Sequence, residues 1–254
     1  MDREPTPPPK PKEKLPPGEA AEFTAYDHRY IELMNDARIG CVRRKLLINC
    51  EVLIIRQAKK THDDAKKIHE ALAAGYDSIR SLHEILRYIR SSSHGAVLAT
   101  CKFDSRDVLE EDIAALAEAL WNEQGRPHTS ANSDWVAAEK GLTTEDLEVP
   151  IGAGLYEFEN SRGGERILTV SALTVHPELR ELPEVPIGSM ILGKILRNPT
   201  RWTTAEALVG TENTSTNGYF RSNGFLARGV ERSPEENESI FGVWMRRDRD
   251  EGKS

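Results

Sequence analysis

Two stretches of this chain hold residue types whose spacing could support chemistry. Glu157 and Glu159 stand two residues apart in a strand-like segment, so both carboxylates fall on one face of a sheet. Such a pair could hold a water or an amine, or could be an ordinary solvated strand face. Further on, Pro186-Ile187-Gly188-Ser189 opens an apolar helical segment. The first turn of a helix has unpaired N–H groups and a positive dipole end, so a turn of this kind suits a pyrophosphate. Proline fits the first helical turn well but has no N–H to give. His62, His69, His83, His94 and His128 show no ligand-like spacing with acids or cysteines, and no metal is expected.

The elements that must position these residues can be read from periodicity. A β-branched run, Ile167 to Val175, reads as a long strand, and Val149 to Glu159 as its neighbour. The loop Asn160-Ser-Arg-Gly-Gly164 joins them as a hairpin with a two-glycine corner. After the helix beginning near Pro186 come a strand at Ala205 to Val209, a helix in the segment from Asn213 to Gly224, and closing strands at Leu226 to Val230 and Ile240 to Met245. Upstream, Tyr26, Tyr30, Leu33, Met34, Ala37 and Cys41 form one helical stripe. Leu46 to Ile55 is more uniformly apolar and reads as buried helix or strand, with helix favoured. Thr61 offers an N-cap with Asp63 and Asp64 in the first turn, and Ile68, Leu72, Ile79, Leu82, Leu86 and Ile89 form a further stripe interrupted at Gly75. Ala96 to Phe103 reads as a strand, Ser105 to Gln124 as an amphipathic helix, and Ser133 to Lys140 as a shorter one.

At 254 residues the chain can hold one large domain or a standard domain with an extension. Hydrophobic residues make up 38%, and no apolar run is long enough to span a bilayer. Residues 1–95 carry 17 Lys and Arg against 14 acids, which leaves a net −10 on the rest of a chain whose total is −7. The acidic half disfavours a nucleic-acid ligand and favours a cationic or amine substrate. Cys41, Cys50 and Cys101 are odd in number and scattered; with a Pro- and Lys-rich start that lacks an apolar signal core, they suit a reducing cytoplasm. The expected division is a disordered Pro/Lys-rich tail (1–20), a helical N-terminal region (21–94), a main domain (95–247) and a charged tail (248–254). The N-terminal helices could serve a homodimer or a partner, or could pack on the main domain's own sheet.

The polar landmarks from Ile167 to Phe225 resemble the core of the GNAT acyltransferase superfamily. Thr174-Val175-His176-Pro177 follows a strand, Arg180 precedes the Gly188-Ser189 helix start, and Asn213, Tyr219 and Gly224-Phe225 follow the next strand. The resemblance implies an α/β fold with a mixed central sheet flanked by helices and splayed near Val175. It implies that Leu173, Thr174 and Val175 pair with a pantetheine arm, that Ile187, Gly188, Ser189 and Met190 offer N–H groups to the diphosphate with Arg180 nearby, and that Asn213 stands beside the arm. His176 is read as structural.

The turn from Arg180 to Gly188 is three residues longer than the family pattern and adds Glu181 and Glu184. The family's acidic tyrosine position falls on Phe220, with Tyr219 one residue earlier; one step along a helix turns a side chain by about 100°. Tyr219 is thus the candidate acid and Glu157 the candidate base. The function implied is transfer of an acetyl group from acetyl-CoA to an amine of a small molecule or protein; the alternative is a catalytically weak scaffold acting through its N-terminal helices. Residues 119–139, with Trp121, Gly125-Arg126-Pro127 and Trp135, also resemble a small bacterial domain of unknown function, which implies no chemistry.

Overall fold

A computed structural model describes residues 28–76, 80–123, 131–143, 147–182, 184–232 and 240–249. The expected tail at 1–20, Tyr26, Ile79, the Gly125-Arg126-Pro127 corner and His128 lie outside them. The chain forms two compact units, one from residues 1–53 with 101–149, the other from 54–100 with 150–254. The boundary expected at residue 95 therefore falls inside the second unit. Asp248 also departs from the expected tail, since it ends the last strand.

The first unit is helical. Helix α1 spans His28–Ile48; the elements next along the chain lie mainly in the other unit, and α4 (Glu110–Glu123) and α5 (Ala131–Leu142) complete this one. Met34 of α1, Leu116, Ala117 and Leu120 of α4, and Trp135, Ala138 and Leu142 of α5 bury together. The thioether end of Met34 packs directly over Gly141, where a Cβ would force it to shift. Ion pairs fix the helix ends: Arg44 meets Asp112 at 2.6 Å, and Lys45 pairs with Asp107. Tyr30, Leu33 and Ala37 of the α1 stripe pack against the same cluster.

The second unit holds most of a seven-stranded sheet in the order β1-β2-β3-β4-β5-β7-β6. The strands are β1 Leu53–Gln57, β2 His94–Phe103, β3 Leu147–Asn160, β4 Arg166–Val175, β5 Thr204–Gly210, β6 Leu226–Arg232 and β7 Ile240–Asp248. Residues favoured as helix up to Ile55 end α1 at Ile48 and then enter β1, which corrects that expectation. β1 is only five residues, Leu-Ile-Ile-Arg-Gln, too short to show a period.

Between β1 and β2 lie α2 (His62–Ala73) and α3 (Leu82–Arg90). Thr61 caps α2 by accepting from Asp64 N, and Ser81 with Glu84 forms a capping box on α3. Ile68, Leu72, Ile85 and Ile89 bury with Ala96, Leu98, Ala153 and Leu155 of the sheet. These helices therefore pack on the main sheet, one of the two arrangements left open for the N-terminal helices, and lie in one unit with it. Asp64 is 2% exposed and takes both Arg56 guanidinium nitrogens, at 2.6 and 2.7 Å, joining β1 to the start of α2.

Helix α6 (Ile187–Leu196) follows β4, and α7 (Thr214–Ser222) follows β5. Gly224 ends α7 with φ +83, where a side chain would be strained, and Phe225 beyond it is fully buried.

Candidate active site

The site begins where two strands part. β4 runs antiparallel to β3 as far as Val175↔Gly152, but it pairs with β5 only from Ile167↔Thr204 to Thr169↔Glu206. Beyond Thr169 a gap opens on the β5 side. A bulge at Ser171 shifts the register, since Val170 faces Tyr156 while Ala172 faces Leu155. His176 N donates to Ile151 O at 2.8 Å, so the even-numbered residues here point their backbone groups toward β3. Alternation then turns the backbone of Leu173 and Val175 into the gap and that of Thr174 away from it. Of the three residues expected to pair with a ligand, Thr174 is corrected. Its hydroxyl is instead buried and without a hydrogen-bond partner among the described residues.

The gap-facing groups are engaged by other parts of the same unit. Leu173 N donates to the Tyr76 hydroxyl at 3.2 Å, and that hydroxyl donates to Leu173 O at 3.0 Å. Arg180 Nε donates to Val175 O at 2.9 Å.

The longer turn between β4 and α6 is held by apolar anchors: Leu179, Leu182 and Val185 are all buried. At the mouth of α6, Ile187 N already donates to Val185 O at 2.8 Å and Met190 N to Pro186 O at 3.0 Å. Neither is a free donor, contrary to expectation. Gly188 and Ser189 retain N–H groups without a partner among the described residues.

Solved structures share the overall fold. A chain of the NatC complex bound to Gag peptide and CoA is 11% identical, with a TM-score of 0.50 over 78% of this chain and 98% of that one. Arabidopsis thaliana NAA60 in complex with a bisubstrate analogue is 8% identical, with a TM-score of 0.50 over 78% and 99%. A GNAT-family acetyltransferase structure from Desulfovibrio desulfuricans is 12% identical, with a TM-score of 0.48 over 77% and 98%. This chain has the GNAT fold. No curated protein matches it by sequence. A family model described as a protein of unknown function (DUF2934) matches residues 108–143, which contain α4 and α5 and include the segment 119–139.

Within the GNAT fold the remaining expected residues fall as follows. Phe220 points into the core, 3% exposed, and stacks edge-on against Phe225. Tyr219, one step round α7, lays its ring against Gly188 instead. Burial pushes the Tyr219 phenol up to about 12; the nearby Ser189 hydroxyl opposes this without completing a hydrogen bond. Asn213 caps α7, its Oδ1 accepting from Thr216 N at 3.0 Å and Ser215 Oγ at 3.1 Å, so that oxygen is committed to the helix.

Glu157 Oε2 lies 3.0 Å from His94 Nε2, and His94 Nδ1 lies 2.8 Å from Ser91 Oγ and 2.9 Å from Ser93 Oγ. The His94 ring stands edge-on to Tyr88, whose hydroxyl is 2.9 Å from Ser171 Oγ on the β4 bulge. Arg80, Glu84, Arg87, Tyr88, Ser91 and His94 line a cavity of about 380 Å³. Glu157 and Tyr219 thus have different neighbours, and no described contact joins them.

Sequence reasoning missed Tyr76, Tyr88, His94 and Ser171. His94 sat in the polar break Ser91-Ser-Ser-His-Gly95, whose composition marks a loop and says nothing of its partners. Among the described residues no group of three or more His, Cys, Asp or Glu gathers, and no helix is long and apolar enough to cross a membrane.

Proposed function

We propose that the chain is an acyl-CoA-dependent N-acyltransferase, moving an acetyl group from acetyl-CoA to an amine of a small molecule or protein. The parting of β4 from β5 after Thr169↔Glu206 carries this reading. It turns the backbone of Leu173 and Val175 toward a groove that can take an amide-bearing arm as an extra strand. Gly188 and Ser189 N–H at the α6 mouth are the donors available for a diphosphate. The NatC chain was solved with Gag peptide and CoA, and the Arabidopsis protein with a bisubstrate analogue, which supports a two-substrate reading of the shared fold.

Direct transfer forms a carbon–nitrogen bond, breaks a carbon–sulfur bond, removes a proton from the amine and returns one to the sulfur. Glu157, through its contact with His94, is the group to receive the amine proton. Tyr219 stays protonated at neutral pH and serves as a hydrogen-bond donor at the α6 mouth; a phenol near 12 is a reluctant proton source, so the departing thiolate takes its proton from solvent water. The acceptor approaches through the cavity bounded by Tyr88 and His94, since Tyr88 touches Ser171, two residues from Leu173. The buried free thiols of Cys41 and Cys101 accord with a reducing cytoplasm.

A second reading, a scaffold that keeps the fold without the chemistry, is favoured by one observation: Tyr76 and Arg180 already hold the gap-facing backbone groups. Thermal unfolding with acetyl-CoA separates the two. Acyltransferase function requires a rise in Tm with ligand concentration; no rise at millimolar acetyl-CoA selects the scaffold. Thiol release across a panel of amines then identifies the acceptor.

A further inference from the structure

We propose that Tyr76 and Arg180 form an internal plug that occupies the β4 edge in the resting protein and must leave before a ligand can pair there. The inference rests on the acyl-CoA reading and adds a regulatory step to that site. The Tyr76 hydroxyl both accepts from Leu173 N and donates to Leu173 O. It therefore satisfies, from one atom, the two backbone groups that a ligand amide would use. Arg180 Nε does the same for Val175 O, the next gap-facing carbonyl.

The approach is built into the chain. Gly75 N and Tyr76 N both donate to Leu72 O at 3.0 Å, so the turn that ends α2 delivers Tyr76 to the edge. A Cβ at Gly75 would run into Thr174 Oγ1, so the close approach needs glycine at this position. The departure is also accessible. Tyr76 is 42% exposed and Arg180 is exposed, so both can exchange these bonds for bonds to water without opening a core. A ligand that binds only the unplugged form has its apparent affinity reduced by the fraction unplugged.

The test compares full-length wild type with Tyr76→Phe and Gly75→Ala by titration calorimetry against CoA and against 3′-phosphoadenosine 5′-diphosphate. The nucleotide lacks the pantetheine arm. Tyr76→Phe keeps the exposed ring and removes only the hydroxyl, and its unfolding profile verifies the fold. The plug requires Tyr76→Phe to bind CoA about tenfold more tightly with nucleotide affinity unchanged, Leu173 amide exchange to quicken, and Gly75→Ala to shift CoA affinity in the same direction. CoA affinity that is unchanged or weaker in Tyr76→Phe overturns the plug and leaves the acyl-CoA reading standing. Absence of CoA binding by wild type and both variants at millimolar ligand overturns both.

Discussion

The β4 edge and the α6 mouth would hold opposite ends of the same extended ligand, yet they rest in different states. At the edge, Leu173 and Val175 have their gap-facing groups bonded by Tyr76 and Arg180. At the mouth, Gly188 and Ser189 keep N–H groups unpaired among the described residues, with only the Tyr219 ring lying over Gly188. A helix terminus can leave donors to solvent at little cost, because the first turn is exposed to water in any case. The Leu173 edge is also within reach of solvent, but there the Tyr76 hydroxyl lies close enough to pair with both backbone groups. The edge is thus paired by side chains, and the mouth keeps its donors open.

The largest expected effect strikes the helix that carries the plug. Asp64→Ala strips Arg56 of its carboxylate at the start of α2, and breaking such a pair costs about 3 kcal/mol or more; urea unfolding should register it. The Arg56 hydrogen bonds, chiefly, hold the Asp64 carboxyl below its usual range. Its contribution is therefore complete above the ordinary carboxylate pKa of about 4 and is lost as pH falls through the lower folded value. Asp64→Asn should flatten that part of the stability–pH curve; an unaltered curve would assign the acid loss to other groups.

Next in size is Glu157→Gln, for which a general base predicts a loss of about 10²-fold or more in kcat with CoA affinity preserved. A rate within a factor of about two of wild type would return Glu157 and His94 to a structural role. Gly188→Asp sharpens the comparison from the other side. The added Cβ fits, with its nearest contact at 3.5 Å, but it brings negative charge to the open mouth. CoA binding should weaken by about tenfold or more, while Leu173 amide exchange stays as in wild type. Equal affinity would mean that the diphosphate lies elsewhere. The smallest effect is expected from Tyr219→Phe, about tenfold or less in kcat, since its phenol sits near 12. A loss of 10²-fold or more would restore it as the acid.

Several site elements were legible because their signals are local. The β-branched run that became β4, the Pro-Gly-Ser start of α6, the Thr61 cap and the Gly224-Phe225 helix end each lie within a few residues. The divergence of Tyr219 from Phe220 followed from helix geometry, and the structure sends one to Gly188 and the other to the core. The division of the chain was not legible. Strand β1 is too short to show a period, and the stripes of α2 and α3 do not reveal which partner covers them. Asn213 matched a family position, yet its oxygen caps its own helix.

The sequence by itself determined most of the strands and helices around the site and where the helix mouth near Gly188 begins, because those properties depend on spacing along a few turns of chain. Only the tertiary structure decided that 54–94 joins the main sheet, that Glu157 meets His94, and that Tyr76 reaches Leu173 from 97 residues away. Contacts of that separation are chosen by burial and by the need to pair backbone groups left open where strands part.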